Sequence, residues 1–212
     1  MNKSAFSIVE LIIVVFLLVG IASILIPLNL SNLKQAERVS LWKNTYDEIK
    51  YSIDVMKAKR PELSELVASG KAGDTIQAFE IVKPYLNIKN DESDNDKLKN
   101  YHYKFLNGQR VKKKSDFYMD DFVILESGVI MGFKVNNDVV NSHNTHRAIM
   151  LFDVNGFDKP NKIGKDVFGL YLYPDRIEPF GEGYSDLALK TNCSPLGTGV
   201  LCSKYYLIGG AF

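Results

Sequence analysis

Cysteine is scarce in this chain, with two residues in 212. Two cysteines form one bridge at most, which excludes a disulfide scaffold and a Cys-rich zinc site. The chain also has almost no excess of positive or negative charge. Its 26 Lys and Arg and 25 Asp and Glu give a net charge of +1. A balanced chain has no global field that would attract nucleic acid or acidic substrates. The length suits one domain of about 100–200 residues plus an appendage.

Catalytic motifs are also missing. The chain has no Gly-rich phosphate loop, HExxH or CxxC motif and no Gly-x-Ser-x-Gly nucleophile elbow. His143 and His146 share a polar stretch that favours a solvated loop over a shared metal site, and His102 lies at a polar position of an alternating segment. The basic run 110–114 is typical of a turn that keeps a sheet edge soluble. We therefore expect no enzymatic activity and no nucleic-acid partner.

A long apolar run is what the sequence does have. Residues 11–26 carry no charge, and the run extends from Phe6 to Leu28 with Glu10 as its one ionisable residue. A helix of about 20 residues spans the hydrocarbon core of a bilayer, so the run predicts a transmembrane helix. A cleaved signal peptide and a plain signal anchor are the alternatives. Only Lys3 precedes the run and no small-x-small cleavage site follows it, which disfavours the signal peptide.

Glu10 is the unusual residue of this segment. A carboxylate inside an apolar span costs on the order of 2.5–3.5 kcal/mol, which indicates a function and a partner. No basic residue lies one helical turn away. A free α-amino group has a pKa of about 7.7–8.0 and is largely protonated at neutral pH. If the chain were cut just before Phe6, the new amine of one copy could pair with Glu10 of its neighbour.

Residues 3–14 resemble the class III signal of type IV pilins and type II secretion pseudopilins. In that family a short polar leader precedes a Phe, and Glu is the fifth residue of the mature chain, as Glu10 is when counted from Phe6. The resemblance implies cleavage between Ala5 and Phe6 by a prepilin peptidase and N-methylation of Phe6. It also implies polymerisation in which Glu10 offsets a neighbour's amine, and Pro27 matches the proline of the pilin helix. Ala5 departs from the Gly that usually precedes the cut.

The resemblance also implies partners and a location. The partners are other pilins or pseudopilins, in a homo- or hetero-polymer, together with the prepilin peptidase, the inner-membrane assembly platform and the membrane. Before assembly the chain is expected to cross the inner membrane once, with its head outside the cytoplasm. After assembly it is expected in a pilus or a periplasmic pseudopilus.

Apolar periodicity divides the remainder of the chain. Apolar residues recur every three or four positions from Leu30 to Met56, which predicts an amphipathic helix that ends before Pro61. The expected organisation is a leader at 1–5, a transmembrane and filament-core helix at 6–29, an amphipathic helix at 30–60 and a head at 61–212.

The head is predicted to begin with short helices at 61–69 and 75–86 and a polar loop at 87–100. Beyond residue 100, apolar and polar residues alternate with a period of two. Strands are predicted at 101–105, in a hairpin over 122–135, at 148–153, at 167–173 and from Ile177. Four to six antiparallel strands packed on the long helix make an α+β fold, and this order fits the pilin architecture. The acidic residues Asp91, Glu92, Asp94 and Asp96 lack the glycine and the spacing of a calcium loop.

A second polar loop is a stronger metal candidate. It contains Gly156 and Gly164 for tight turns and five oxygen-bearing side chains. Calcium takes six to eight oxygen ligands, although the glycine position does not fit an EF-hand. The alternative is an Asx/Gly turn whose side chains cap their own backbone. Major pseudopilins bind calcium in C-terminal loops, so the resemblance supports calcium by analogy only, and the turn remains the first interpretation. The five residues are Asp153, Asn155, Asp158, Asn161 and Asp166.

Cys193 and Cys202 flank a loop rich in glycine and proline. Outside the cytoplasm they can form a bridge, which would contribute roughly 2.5–3 kcal/mol by closing the loop. Two free thiols are the alternative. Many pilins carry a C-terminal disulfide loop, so the resemblance favours the bridge.

The sequence therefore predicts a structural subunit of a type IV pilus or type II secretion pseudopilus. The alternative is a membrane-anchored extracytoplasmic binding or enzymatic domain that uses the helix only as a tether.

Overall fold

The computed structural model describes residues 7–68, 75–89, 94–119, 121–135, 148–173 and 176–211. The chain divides into two compact units, Met1–Glu37 and Arg38–Phe212. The helices are α1 (Ile8–Lys59), α2 (Pro61–Ala68), α3 (Thr75–Val82), α4 (Asn95–Lys99), α5 (Asp186–Asn192) and α6 (Cys202–Leu207), with a 3-10 turn at Lys83–Tyr85. The strands are β1 (Phe122–Ile124), β2 (Ile130–Val135), β3 (Ala148–Asp153), β4 (Val167–Leu172) and β5 (Ile177–Pro179).

The described part of the first unit is helical from Ile8 onward. Its large apolar side chains are exposed along the whole stretch, from Ile8 at 78% to Ile26 at 57%. Helix α1 continues through position 27 and ends at Lys59, next to Arg60 and Pro61 as predicted. Over the residues that the structure describes, no helix has both the length and the apolar character needed to cross a membrane.

The second unit begins with the part of α1 that carries a buried stripe. Trp42, Ile53 and Met56 are completely buried. The indole of Trp42 stacks on the ring of Phe168 with 5.1 Å between centroids, and its Nε1 donates to the carbonyl oxygen of Ser203 at 2.9 Å. Leu30 and Leu33, the first residues of the predicted stripe, belong to the first unit and are more than half exposed.

The five strands form one antiparallel sheet in the order β1-β2-β3-β4-β5, so each strand pairs with its neighbour along the chain. The unit is therefore α+β, as predicted. Residues of one face, such as Met150 and Phe168, belong to the same apolar cluster as Trp42. Residues of the other face, such as Ile149 and Leu151, cluster with Tyr101 and other side chains from irregular segments.

Burial on both faces explains where the strand prediction failed. Residues 101–105 do not form a regular strand. They make only isolated bridges, between Lys104 and Arg110 and between Lys104 and Lys162. Tyr101 and Tyr103 are both buried, because this segment covers the second face of the sheet. Apolar and polar residues alternate in this segment because one side of it is buried against the sheet. The segment does not pair with a neighbouring strand through a regular ladder of hydrogen bonds.

The helix predictions need three further corrections. The helix predicted over 75–86 ends at Val82 and continues as a 3-10 turn containing Pro84, which cannot donate an N–H to the helix. The predicted loop 87–100 contains α4, an exposed short helix. Helices α5 and α6 were not predicted, although Ser185 caps α5 by accepting a hydrogen bond from the Ala188 N–H.

Candidate functional site

The first candidate site is the beginning of α1, where the side chains of Ser7 and Glu10 cap the helix. The Ser7 backbone N–H donates to Glu10 Oε2 at 2.9 Å, and the Val9 N–H donates to Ser7 Oγ at 3.2 Å. The pair is similar to the capping box S-x-x-E, but the Ser7 hydroxyl accepts from Val9 rather than from the N–H of Glu10. Both contacts satisfy N–H groups that have no partner within the helix. The spacing of Ser7 and Glu10 is visible in the sequence, but a helix cap was not predicted from it.

The cap changes the interpretation of Glu10. A cap contributes typically about 1 kcal/mol, and a carboxylate at a helix N-terminus gains about 0.3–1 kcal/mol from the helix dipole. These gains are smaller than the cost of roughly 2.5–3.5 kcal/mol for a carboxylate in an apolar span. The cap therefore explains the orientation of the Glu10 side chain and offsets only part of that cost.

Several predicted residues lie outside the described residues. Ala5 and Phe6, the predicted processing pair, are among them, as are Asp91 and Glu92 of the acidic loop and both His143 and His146. The backbone of Pro27 lies within α1. His102 is described and is exposed.

The second candidate site is the loop between β3 and β4, and Asp153 begins it. Asp153 is 2% exposed. Its Oδ2 accepts a short hydrogen bond from the Tyr101 hydroxyl, and its Oδ1 accepts from the Asn155 N–H at 3.3 Å. The contact with Asn155 is the Asx turn that the sequence offered as the structural alternative.

Asp166 ends the loop and is completely buried. Its two carboxylate oxygens accept from the Asn161 N–H at 2.9 Å and from the Lys162 N–H at 2.6 Å. The Val154 N–H donates to the Asp166 carbonyl oxygen at 2.9 Å, which joins the two ends of the loop. Both carboxylates therefore hold the backbone of the loop.

Burial changes the proton affinity of both carboxylates. Desolvation, and next the charge of Asp166, raise the pKa of Asp153 to about 8, although hydrogen bonds from Tyr101 and Asn155 oppose the shift. Desolvation also raises the pKa of Asp166, against the backbone N–H groups that bind its charged form. Burial therefore disfavours the charged form of both carboxylates, and at Asp153 the charge of Asp166 adds to this effect.

Two amide oxygens in the loop lack donors. Asn155 Oδ1 and Asn161 Oδ1 are buried and have no hydrogen-bond partner, whereas the Asn155 Nδ2 donates to the carbonyl oxygen of Asp158 at 2.9 Å. A buried acceptor without a donor requires an explanation, such as a bound ion or water. Asp158 itself is exposed.

These donors fit a hard cation better than a soft one. Every candidate ligand is a carboxylate or amide oxygen, which suits calcium rather than zinc. Within the described ranges, no cluster of three or more His, Cys, Asp or Glu side chains could hold a metal. A calcium ion here would therefore need the amide oxygens of Asn155 and Asn161 besides the carboxylates of Asp153 and Asp166.

Two contributors to this site were missed by sequence reasoning. Tyr101 binds Asp153 across 52 residues of sequence. Arg38 donates from Nη2 to the Lys159 carbonyl oxygen at 3.2 Å across 121 residues, and its charge lowers the pKa of both Asp153 and Asp166. Neither residue belongs to a local motif, so no pattern in the sequence could have identified it.

The predicted disulfide is present between Cys193 and Cys202. The loop that it closes packs against the β3–β4 loop. A Cβ on Gly164 would lie 2.7 Å from Gly199 Cα and 2.8 Å from Cys202 Sγ, and both glycines have positive φ. The bridge therefore supports the candidate cation loop as well as the C-terminus.

No family model, curated protein or solved structure matches the chain. The resemblance to pilins consequently depends on the N-terminal motif.

Proposed function

We propose that this chain is a subunit of a helical filament of the type IV pilus or type II secretion pseudopilus kind. The observation that carries the proposal is the exposed apolar surface of α1 from Ile8 to Ile26, where the large side chains that the structure describes are 47–78% exposed. Exposed apolar patches of this extent mark an interaction site. In the proposed pathway the bilayer covers this surface before assembly, and the helices of sister subunits cover it in the filament.

Glu10 has a specific role in this proposal. A carboxylate that enters an apolar helix bundle without a cation beside it raises the free energy of the bundle. A subunit inserted out of register would leave Glu10 in that position. A pair between Glu10 and the amine of Phe6 on the next subunit would satisfy the carboxylate at one axial position only. Buried ion pairs are weak evidence of stability, because desolvation opposes their attraction, but they can set register. The fold of the second unit, a helix packed on an antiparallel meander, is compatible with a pilin head.

The rival function is a tethered extracytoplasmic domain. A tether needs the apolar helix but has no use for a cut at Phe6 or for a charge at Glu10. The mass of the mature chain therefore distinguishes the two functions. Filament processing is expected to remove residues 1–5 and to add one methyl group to Phe6, whereas a tether would retain the leader.

Glu10→Gln tests the assembly role most directly. Gln retains the side-chain oxygen that accepts the Ser7 N–H, so the helix cap persists while the charge is removed. Filament assembly in cells, measured by electron microscopy and by sedimentation of sheared filaments, is expected to fall severely.

Ser7→Ala is the matched control, because it removes the Oγ that caps Val9 and leaves the Glu10 charge intact. It is expected to assemble at close to the normal level. Normal assembly by Glu10→Gln, or equal loss in both variants, would show that the charge has no role in register.

Calcium binding by the β3–β4 loop is a second proposal, favoured by the two amide oxygens that lack donors. Millimolar calcium is expected to raise the melting temperature of the full chain by several degrees, and magnesium to raise it less. Asn161→Gly removes one of these oxygens and tolerates the positive φ of 51° at this position, so it should abolish the calcium shift. An unchanged melting temperature in millimolar calcium would reject the site.

A further inference from the structure

Positive charge is concentrated in one part of the second unit. Residues 100–115 contain five Lys and Arg and no Asp or Glu, in a chain whose net charge is +1. The rest of the chain is therefore net acidic. A field of one sign on an otherwise acidic protein attracts ligands of the opposite sign over a limited surface.

Two of these cations occupy an unfavourable position. Lys104 and Arg110 are directly opposite each other in an antiparallel bridge, and both are exposed. Lys162 is paired with Lys104 on its other side. Like charges directly opposite destabilise a pair of strands. Neither Lys104 nor Arg110 forms an ion pair with a carboxylate among the described residues. An external anion would supply the missing counter-charge.

The same two cations line a cavity of about 400 Å³. Its volume lies in the range of small-molecule sites, about 300–1,000 Å³. The lining combines Lys104 and Arg110 with apolar side chains, including Val111 and Met119, and with the half-buried Tyr118. A ligand for this cavity needs an anionic group beside an apolar ring face, which a sugar ring with a carboxylate provides.

The aromatic residues of the cavity disfavour nucleobases. Single-stranded nucleic acids bind by stacking bases on accessible aromatic faces. Four Tyr and Phe side chains line the cavity. Tyr101 and Tyr103 are only 7% and 8% exposed. Their hydroxyls bind Asp153 and the Phe117 carbonyl oxygen, which fixes both rings within the protein. The half-buried Phe122 packs edge-on against both of them. The half-buried Tyr118 alone remains, and one ring cannot stack successive bases.

The charge beyond the cavity indicates a chain-like ligand. Lys112, Lys113 and Lys114 follow Arg110 closely in sequence, and all three are exposed. Lys99 also lines the cavity but already pairs with Asp96 at 3.5 Å, so a single small anion would use only Lys104 and Arg110. A polymer with one charge in each unit would use the whole series.

We propose that this cationic cleft, defined by Lys104, Arg110 and the run Lys112, Lys113 and Lys114, binds an acidic polysaccharide with a carboxylate on its sugar rings. The planar guanidinium of Arg110 can bind one carboxylate in a bidentate manner, and Lys104 supplies a second donor to it. The carboxylates of following rings meet the lysine run. This function does not depend on filament formation, because every residue that carries it lies in the second unit.

Binding of oligogalacturonate to the full chain in a neutral detergent tests the proposal. A neutral malto-oligosaccharide of the same length and an oligothymidylate of the same charge are the comparison ligands. We expect oligogalacturonate to bind most tightly, with an affinity that falls as salt rises. Lys104→Gln with Arg110→Gln is expected to lose at least about ten-fold in affinity, because two charged hydrogen bonds disappear.

Lys43→Gln with Lys190→Gln is the matched control. Both lysines are exposed, and the pair changes the net charge by the same amount. Its affinity should stay within about two-fold of the unmodified chain, because exposed charges at a distance are screened. In the unmodified chain, bound oligogalacturonate should protect Lys104 from acetylation more than Lys43, which tests the location without any variant.

Lys104→Glu separates a binding role from a structural one. It places opposite charges across the bridge to Arg110, so the melting temperature is expected to rise by about 1–3 °C while binding is lost. A lower melting temperature would show that Lys104 supports the fold. Tighter binding of oligothymidylate, no binding of oligogalacturonate, equal loss in the control pair or equal protection of Lys43 would each overturn the proposal.

Discussion

Helix α1 has two parts that are both rich in apolar residues. The apolar side chains are exposed in the first part and buried in the second. In the first unit, Phe16 is 75% exposed and Leu17 is 62% exposed, whereas in the second unit Trp42 and Ile53 are completely buried. The first part is apolar around its whole circumference. The second alternates apolar positions with charged ones such as Lys43 and Lys50.

The difference shows what a periodic pattern contributes to folding. An apolar stripe can be buried completely by the one surface it faces, here the sheet of the same chain. A helix that is apolar all round needs apolar surroundings on every side. The second unit therefore completes its own core, whereas the first unit leaves its apolar side chains exposed.

Trp42→Ala is expected to give the largest effect and would break the comparison most clearly. The substitution removes a completely buried indole that stacks on Phe168 and donates to the Ser203 carbonyl oxygen. It should lower the free energy of unfolding by about 3–5 kcal/mol. Urea denaturation of the full chain in a neutral detergent, followed by circular dichroism, measures the loss.

Phe16→Ala is the matched control in the first unit, because it also removes a large aromatic side chain from α1. It should change the same free energy by less than about 0.5 kcal/mol. Comparable losses in the two variants would mean that the first part of α1 is packed within the single chain after all.

Reduction of the Cys193–Cys202 bridge is expected to have the next largest effect. Opening a loop with a sequence separation of 9 increases the entropy of the unfolded chain, which should lower the free energy of unfolding by about 2.5–3 kcal/mol. Thermal melting with and without dithiothreitol measures this change, with thiol titration to confirm reduction. The helicity of residues 8–37 should not change, and an unaltered melting temperature after full reduction would contradict the prediction.

The smallest of the three effects is a dependence of stability on pH that originates in the β3–β4 loop. The pKa of Asp153 is raised to about 8 from an unfolded value of about 3.9. Between these values the folded chain holds a proton that the unfolded chain has released, so stability falls as pH rises. The contribution is complete below about pH 4 and is lost as pH rises through about 8. We expect the free energy of unfolding to be about 2 kcal/mol lower at pH 7 than at pH 5.

Asp153→Asn should flatten this dependence, as measured by urea denaturation across the pH range. The slope is reduced rather than removed, because burial raises the pKa of Asp166 as well. The exposed Asp158→Asn is the control and should retain the full slope. A stability that rises between pH 5 and pH 7 would show that both carboxylates are ionised in the folded chain.

Local features were predicted well from the sequence where they depend only on residues that are close along the chain. The end of α1 before Pro61, the strands β2, β3 and β4 and the buried stripe at Trp42 follow from proline geometry and apolar periodicity. The disulfide was expected from the resemblance and from a head outside the cytoplasm, with two free thiols as the alternative, and the structure contains it. The prediction of a strand at 101–105 was wrong. Alternation of apolar and polar residues shows only that one side of a segment is buried, and here an irregular segment buries that side against the sheet.

The candidate cation loop was predicted as a set of residues but not as an arrangement. Its five oxygen-bearing side chains are close in sequence, so composition was enough to select them. Which oxygens have donors depends on Tyr101, on backbone N–H groups within the loop and on burial beneath the C-terminal loop. Those contacts join distant parts of the chain, and short-range patterns contain no information about them.

The sequence by itself determined that α1 has an all-round apolar half and a striped half, because helix geometry converts the spacing of residues directly into faces. Tertiary structure alone decided that Asp153 and Asp166 are buried together and that Lys104 lies between Arg110 and Lys162. Burial of the two carboxylates depends on the pairing of β3 with β4 and on the segments that pack over their loop. The bridge from Lys104 to Lys162 joins segments far apart in sequence. The free energies of charges depend on those neighbours in space rather than on the order of residues.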